Sequence, residues 1–192
     1  LADPRFLKFT TGHRARFWEK NCVSIGLSAG FMEPLESTSI WMIQTGIARL
    51  LSNFPDAGFE AASIDRYNRL MVEESELVRD FLVLHYHVTT RDDSDFWNYC
   101  RTMPIPDRLA EKIRVFQSSG RAFREHEELF NDTSWFAVME GQRLGARHYD
   151  PVAELMPIEQ TRDRLRQIKA AVTASVDHMP LHRDYIRDHC AA

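Results

Sequence analysis

Two carboxylates three residues apart, Glu33 and Glu36, bracket Pro34 and Leu35 and stand directly before Ser37, Thr38 and Ser39. A carboxylate is the group that steadies a developing cation or orients a donor in a site from which water is excluded. Serine and threonine ahead of an apolar-periodic run are plausible N-caps. The first free N–H groups of a helix, with the positive end of its dipole, attract anions. An acid set beside such a helix start points to chemistry. The bland alternative for Glu36 is a first-turn acid that only complements the dipole.

Other stretches carry chemistry-bearing residues. Gly26-Leu27-Ser28-Ala29-Gly30 fits the G-x-S-x-G pattern and follows a predicted strand, which would make Ser28 a nucleophile. Against that reading, four residues separate the motif from the next helix start, and the later chain offers no strands to carry an Asp and a His to it. His85 and His87 end a predicted helix, but no third ligand has a matching spacing, so no metal is expected. The run Arg124 to Glu128 reads as a wetted helix face. Phe96, Trp97, Phe130, Trp135 and Phe136 suit a core more readily than a stacking platform.

The elements that must position Glu36 follow from periodicity and punctuation. Val23 and Ile25 supply strand character, Gly26 and Gly30 permit tight turns, and Pro34 suits entry to a helix. Ile40, Ile43, Ile47, Leu50 and Phe54 then recur along one helical face. Upstream, residues 6–10 predict a strand, 11–13 a turn, and 15–18 a return toward Asn21. Downstream, Ser63 predicts a helix cap, with Ile64, Tyr67, Leu70, Met71, Leu77, Val78 and Phe81 inside and an end near Leu84. Ser94 caps a short helix stopped by Pro104, and Asp107 caps one ended by Gly120. Ser134 caps a piece ending near Gly141, and the last helix spans residues 157–178 with Leu165, Ile168, Val172 and Val176 on one face. The fold class expected is mainly α with a small β segment at the N-terminus. The chain divides into residues 1–54, holding the strands and the acidic turn, and a helical portion over 55–192.

Composition bounds the rest. The 192 residues, 44% hydrophobic and 27% charged, suffice for a sizeable core. A net charge of −4 gives no electrostatic reason to expect nucleic acid, and no apolar run is long enough to span a membrane. Three cysteines, Cys22, Cys100 and Cys190, lie far apart in an odd count, which fits a reducing, cytoplasmic setting. No basic segment with an apolar run behind it opens the chain, so a secretory signal is not expected. The first residue is Leu1, and part of a longer protein is expected.

Residues 21–27, NCVSIGL, and 30–40, GFMEPLESTSI, together resemble the signature of the flavin-dependent tryptophan halogenases. The likeness extends upstream to Phe9, Gly12, Arg14 and Trp18, and downstream to His85-Tyr86, Thr90, Arg91, Asp93 and Phe96-Trp97. It continues through Leu129-Phe130, Ser134-Trp135 and Gly141-Gln142, to about Pro151. Family features absent from these residues are the dinucleotide fingerprint Gly-x-Gly-x-x-Gly, the Trp-x-Trp-x-Ile-Pro segment and the part that supplies a catalytic lysine.

The resemblance implies a flavin-monooxygenase-like α+β fold with an added helical substrate module. It also implies reduced FAD from a separate flavin reductase, and chloride or bromide as the halide. In that family oxygen makes a flavin hydroperoxide, halide attacks it, and hypohalous acid passes down a short tunnel to a lysine and a glutamate beside an aromatic substrate. Matched position by position, Glu36 is that glutamate, Ser37 links the flavin and substrate sites, and the amides of Thr38 and Ser39 bind halide. Gly30, Pro34, Leu35 and Ser37 fall on the flavin side. The family pattern agrees with elementary chemistry: a halide wants N–H donors, and a short-lived oxidant needs a closed route.

Relatives specialised for free tryptophan carry tyrosines, a glutamate and an asparagine where this chain has residues 119–135, SGRAFREHEELFNDTSW. Phe130 keeps an aromatic there, and Glu127 or Glu128 could meet a substrate amine. Tryptophan and indole, or another electron-rich aromatic, both remain open as substrates. The partners expected are that small molecule and the reductase, without nucleic acid or membrane, and a homodimer is compatible with the composition. The competing classes are a non-catalytic helical interaction module and a serine hydrolase using Ser28.

Overall fold

The computed structural model describes residues 4–126 and 128–190. It forms two compact units, Leu1–His148 and Tyr149–Ala192. In the first, four two-residue strands precede the helices: β1 Gly12–His13, β2 Trp18–Glu19, β3 Cys22–Val23 and β4 Gly30–Phe31. β1 pairs antiparallel with β4 (Gly12 opposite Phe31), and β2 with β3 (Trp18 opposite Val23). Then come α1 Thr38–Ser52, α2 Ala61–His87, α3 Asp95–Thr102, α4 Asp107–Ser119 and α5 Asp132–Gly141. The second unit holds α6 Ile158–His178 and α7 His182–His189. The expected class, mainly α with a small β segment at the N-terminus, holds.

α2 is the spine of the first unit. Its 27 residues span roughly 40 Å at 1.5 Å per residue. Its N-terminal half packs Ile64, Tyr67 and Met71 against Phe17, Trp18 and Ala29. Its C-terminal half packs Phe81 and Leu84 against Leu109, Ile113 and Phe116 of α4 and Trp135 and Met139 of α5. Buried Asn68 ties the strands to it: its side-chain oxygen accepts from the Phe17 and Trp18 amides at 2.7 and 2.8 Å, and its amide donates to the Trp18 carbonyl.

α1 meets α2 through small and polar groups. A Cβ on Gly46 would lie 3.5 Å from Met71 Cε, an ordinary contact, so the small residue packs against α2 without strain. Arg49 pairs with the Glu74 carboxylate at 2.6 Å and also donates to the Leu70 carbonyl, while Trp41 Nε1 donates to Glu74. The expected apolar face of α1 exists but looks outward: Ile40, Ile43 and Ile47 are exposed, and Met42 and Leu50 face the core.

Several boundaries differ from expectation, each for a local reason. Residues 6–10 form no strand, because Phe6, Leu7 and Phe9 are exposed and pair with nothing in a ladder. α2 starts two residues before Ser63, with Glu60 at its N-cap, and runs to His87 because Leu84 and Val88 are still core. α5 is capped by Asn131, whose side chain accepts from the Ser134 amide, so Ser134 lies inside the helix. Ser94 caps α3 by accepting from Trp97 N, and Gly120 ends α4 in the left-handed conformation, both as the sequence predicts.

Candidate active site

The acidic turn is built on two positive-φ residues that are not glycine. Glu36 has φ 64° and Ser37 φ 53°, after Pro34 closes a tight 3-10 turn by accepting from the Ser37 amide at 2.9 Å. Side chains in this region cost about 1–3 kcal/mol each, and such strain persists only where surrounding contacts hold it. The shape has a consequence. Ser37 is the N-cap of α1 yet makes no side-chain cap bond, so no hydroxyl closes over the first amides of the helix. A left-handed residue followed by the right-handed Thr38 also turns successive N–H groups toward one side, the geometry of an anion nest.

Consecutive residues near the end of α2 grip this turn. His85 Nε2 lies 3.2 Å from Glu36 Oε1, and His85 Nδ1 lies 2.8 Å from the Phe81 carbonyl one turn back. Both ring nitrogens thus face oxygen acceptors. Tyr86 donates its O–H to Glu33 Oε2 at 2.5 Å. That bond to a carboxylate, reinforced by burial, pushes the phenol up to about 12. Tyr86 is in turn flanked by Phe96 edge-on and Trp97 stacked, both on α3, and Arg91 lies over the Trp97 ring. α3 therefore buttresses the tyrosine that holds Glu33.

The hydroxyl run divides by burial. Thr38 is buried and Ser39 exposed. Thr38, Ser39 and Gly30 share the lining of a cavity of about 80 Å³, mostly apolar through Phe17, Ile25 and Met42, with His13 and Ser75 as further polar groups. A wider groove of about 640 Å³ adjoins it, sharing Gly12, His13, Leu27 and the 29–31 stretch. The groove has the size of a cofactor site; of the residues expected on the flavin side, Gly30 lines both groove and cavity, whereas Pro34, Leu35 and Ser37 are exposed and line neither.

The segment expected to meet substrate is anchored from below. Glu128 Oε1 accepts from Lys112 Nζ at 3.3 Å and from the Glu125 amide at 2.9 Å, and Oε2 accepts from Trp135 Nε1. Both Lys112 and Glu128 side chains are 2% exposed. The amine that Glu128 meets is a lysine of its own chain. Glu127 lies outside the described residues. Phe130 stacks on Phe81 at 3.8 Å, and Phe81 meets the His85 ring edge-on at 4.9 Å. Phe130 is thus two rings away from the group that holds Glu36.

Other motifs resolve as structure. Ser28 donates its hydroxyl to the Ile25 carbonyl inside a tight turn. A Cβ on Gly30 would sit 2.6 Å from the Gly12 carbonyl oxygen and 2.7 Å from His13 Cα. Gly30 of the G-x-S-x-G stretch therefore serves the β1–β4 pair, while Gly26 opens the preceding turn with a φ of 68°. His87 Nδ1 meets the Cys100 carbonyl, and among the described residues no group of three or more His, Cys, Asp or Glu is placed to hold a metal. No helix of the described residues is long and apolar enough to cross a membrane. Sequence reasoning missed His85 and Tyr86 as partners of the acidic turn. The signal was their adjacency, which puts two hydrogen-bonding side chains about 100° apart on one helix turn.

The tryptophan halogenase family model matches residues 1–158. Among solved structures, the chain is similar to Xcc4156, a flavin-dependent halogenase from Xanthomonas campestris, at 45% identity and TM-score 0.94, covering 100% of this chain and 39% of that one. It is similar to BrvH, a flavin-dependent halogenase from Brevundimonas sp. BAL3, at 41% identity and TM-score 0.91, covering 98% and 38%. Tryptophan 7-halogenase KtzQ of Kutzneria sp. (strain 744) is 30% identical over 94% of this chain and 37% of its own length. The chain thus spans a little over a third of the relatives it matches. With the acidic turn, the open helix start and the match along most of its length, the chain belongs to the tryptophan halogenase family.

Proposed function

We propose that the chain forms the halogenating end of a flavin-dependent halogenase that places chlorine or bromine on an electron-rich aromatic such as tryptophan or indole. The observation that carries this reading is the Glu36 carboxylate, held by His85 on a strained turn directly before the open first amides of α1. Reduced FAD from a partner reductase would supply, with oxygen, the oxidising equivalents that turn halide into an electrophile. Gly30, Pro34, Leu35 and Ser37 would lie along the flavin, and the Thr38 and Ser39 amides would hold the halide.

The chain's own residues then have defined work. A ring attacked by an electrophilic halogen becomes cationic before it loses its proton. A carboxylate beside that ring lowers the barrier because its charge is already in place when the cation develops. Glu36 is suited to this, since His85 lies against Oε1 and the side chain is still 40% exposed. The apolar walls around Thr38 and Ser39 keep water and thiols from consuming the oxidant. Glu128 is committed to Lys112, so it provides no clamp for an amino acid, which favours indoles and related rings alongside tryptophan.

The test is a substrate panel with the full-length protein, a flavin reductase, NADH and either halide. Halogenated indole or tryptophan, formed only with halide and reduced flavin, is the expected result. A panel of indoles, pyrroles and phenols that yields no halogenated product would sink the reading.

A further inference from the structure

The geometry points to His85 and Tyr86 as positioning residues, which by holding Glu36 and Glu33 fix the left-handed turn that presents the carboxylate and the first α1 amides. The inference rests on the function proposed above and extends it to residues that touch neither flavin nor halide. Pro34 and Leu35 alone separate the two acids, so a grip on both sets the turn at each end. The grips come from neighbouring residues of one helix, which makes their spacing rigid: His85 Nε2 to Glu36 Oε1 at 3.2 Å, and Tyr86 O–H to Glu33 Oε2 at 2.5 Å. Each grip is itself braced. The His85 ring is fixed by the Phe81 carbonyl and lies edge-on to the Phe81 ring, and Tyr86 is flanked by Phe96 and Trp97.

The turn needs such holding. Residues 36 and 37 are both in the left-handed region with full side chains, and the backbone bond that closes the turn joins Ser37 N to Pro34 O. The second carboxylate oxygen of Glu33 is buried without a hydrogen-bond partner, so Glu33 depends on Tyr86 for its satisfaction. The placement also explains why an acid that touches no proposed reactant is needed at 33: it is the far anchor of the turn that carries Glu36.

Two readouts test this on the full-length protein with His85→Phe, His85→Gln and Tyr86→Phe. The first is hydrogen exchange by mass spectrometry. Opening of the turn should make the Ser37 amide, held by the Pro34 carbonyl, exchange about tenfold faster in His85→Phe and Tyr86→Phe, read on a peptide spanning residues 33–39, while peptides from α2 stay unchanged. A general packing role would instead raise exchange along α2. The second is the share of oxidising equivalents that reaches the aromatic substrate, against the share trapped by a thiol dye in bulk. His85→Phe should keep flavin consumption but lower the share on the substrate about tenfold, with His85→Gln, which can still hydrogen-bond, retaining more of it. In the double variant Glu36→Gln/His85→Phe the histidine change should add nothing, because its effect passes through Glu36. Unchanged exchange over 33–39, or additive losses in the double variant, would overturn the inference while halogenation by the wild type left the proposed function standing. A wild type that halogenates nothing would instead remove the proposed function, and this assignment with it.

Discussion

Replacing Glu36 with glutamine keeps the side chain's shape and its reach to His85 but removes its charge. If the acid only complemented the α1 dipole, the change would cost about 0.3–1 kcal/mol of stability and leave turnover intact. A carboxylate placed where charge develops behaves differently, and losing one such group typically lowers turnover about a hundred- to a thousandfold. We expect the larger loss, read as turnover of an indole by the full-length protein at matched flavin loading. Glu33→Gln should be the milder change, because its amide oxygen can still accept from Tyr86. Wild-type turnover in Glu36→Gln would return that residue to the dipole role. Tyr86 offers a separate test through pH. Its phenol is raised to about 12 from 10.0 in the fold, so the neutral form is favoured by folding. The stability this contributes is fully present below pH 10.0 and is lost as pH rises toward 12. The difference in melting temperature between wild type and Tyr86→Phe should therefore be flat through neutral pH and narrow across that window. A gap independent of pH up to 12 would show that the bond to Glu33 is not what shifts the phenol.

Glycine is decisive where backbones cross. At Gly30 the atoms a Cβ would meet are backbone atoms of Gly12 and His13, which cannot swing aside. Gly30→Ala should cost at least about 1–3 kcal/mol as strain in the β1–β4 pair, measured by chemical denaturation. Ser28→Ala should cost no more than one ordinary hydrogen bond, about 0.5–1.5 kcal/mol, and leave activity in place. A serine nucleophile would give the reverse pattern. Much of this level was legible in the sequence. The 3.6-residue period marks α1, α2, α4 and α6, Ser94 marks the start of α3, Gly120 the end of α4, and residues 157–178 bound α6 closely. The strands were not legible as drawn, because two-residue pairs have too few positions to alternate. α7 escaped because eight polar-rich residues, HRDYIRDH, show no apolar period. The acidic turn was half legible: Pro34 and the hydroxyl run announce a helix start, but nothing in the residue types says that Glu36 and Ser37 take positive φ. Nor does a sequence show that Lys112 and Glu128, ordinary surface types, are buried as a pair.

At the scale of the whole chain, 192 residues cover 37% of KtzQ and 39% of Xcc4156. Of the residues proposed to lie along the flavin, Gly30 lines an open groove and Pro34, Leu35 and Ser37 stand exposed on one turn. These 192 residues by themselves are expected neither to retain flavin nor to halogenate. Protein that leaves a sizing column yellow, with one flavin per chain, would show that the groove alone suffices. The outward stripe of α1 and the face of α6 bear on another property of the chain. Ile40, Ile47, Leu51 and Phe54 are between 46% and 70% exposed, and Leu165, Ile168, Val172 and Val176 between 54% and 61%. Water already covers this hydrocarbon in the folded state, so unfolding adds little to its hydration there. Heat capacity records that difference directly, since its rise on unfolding comes from newly wetted apolar surface. The isolated chain should show a heat-capacity increment below the roughly 12–15 cal/mol/K per residue of ordinary domains, and so a stability curve flatter with temperature than its size suggests. Scanning calorimetry would read both quantities in one experiment, and an ordinary increment would mean that the chain hides those faces in solution, for instance against a second copy.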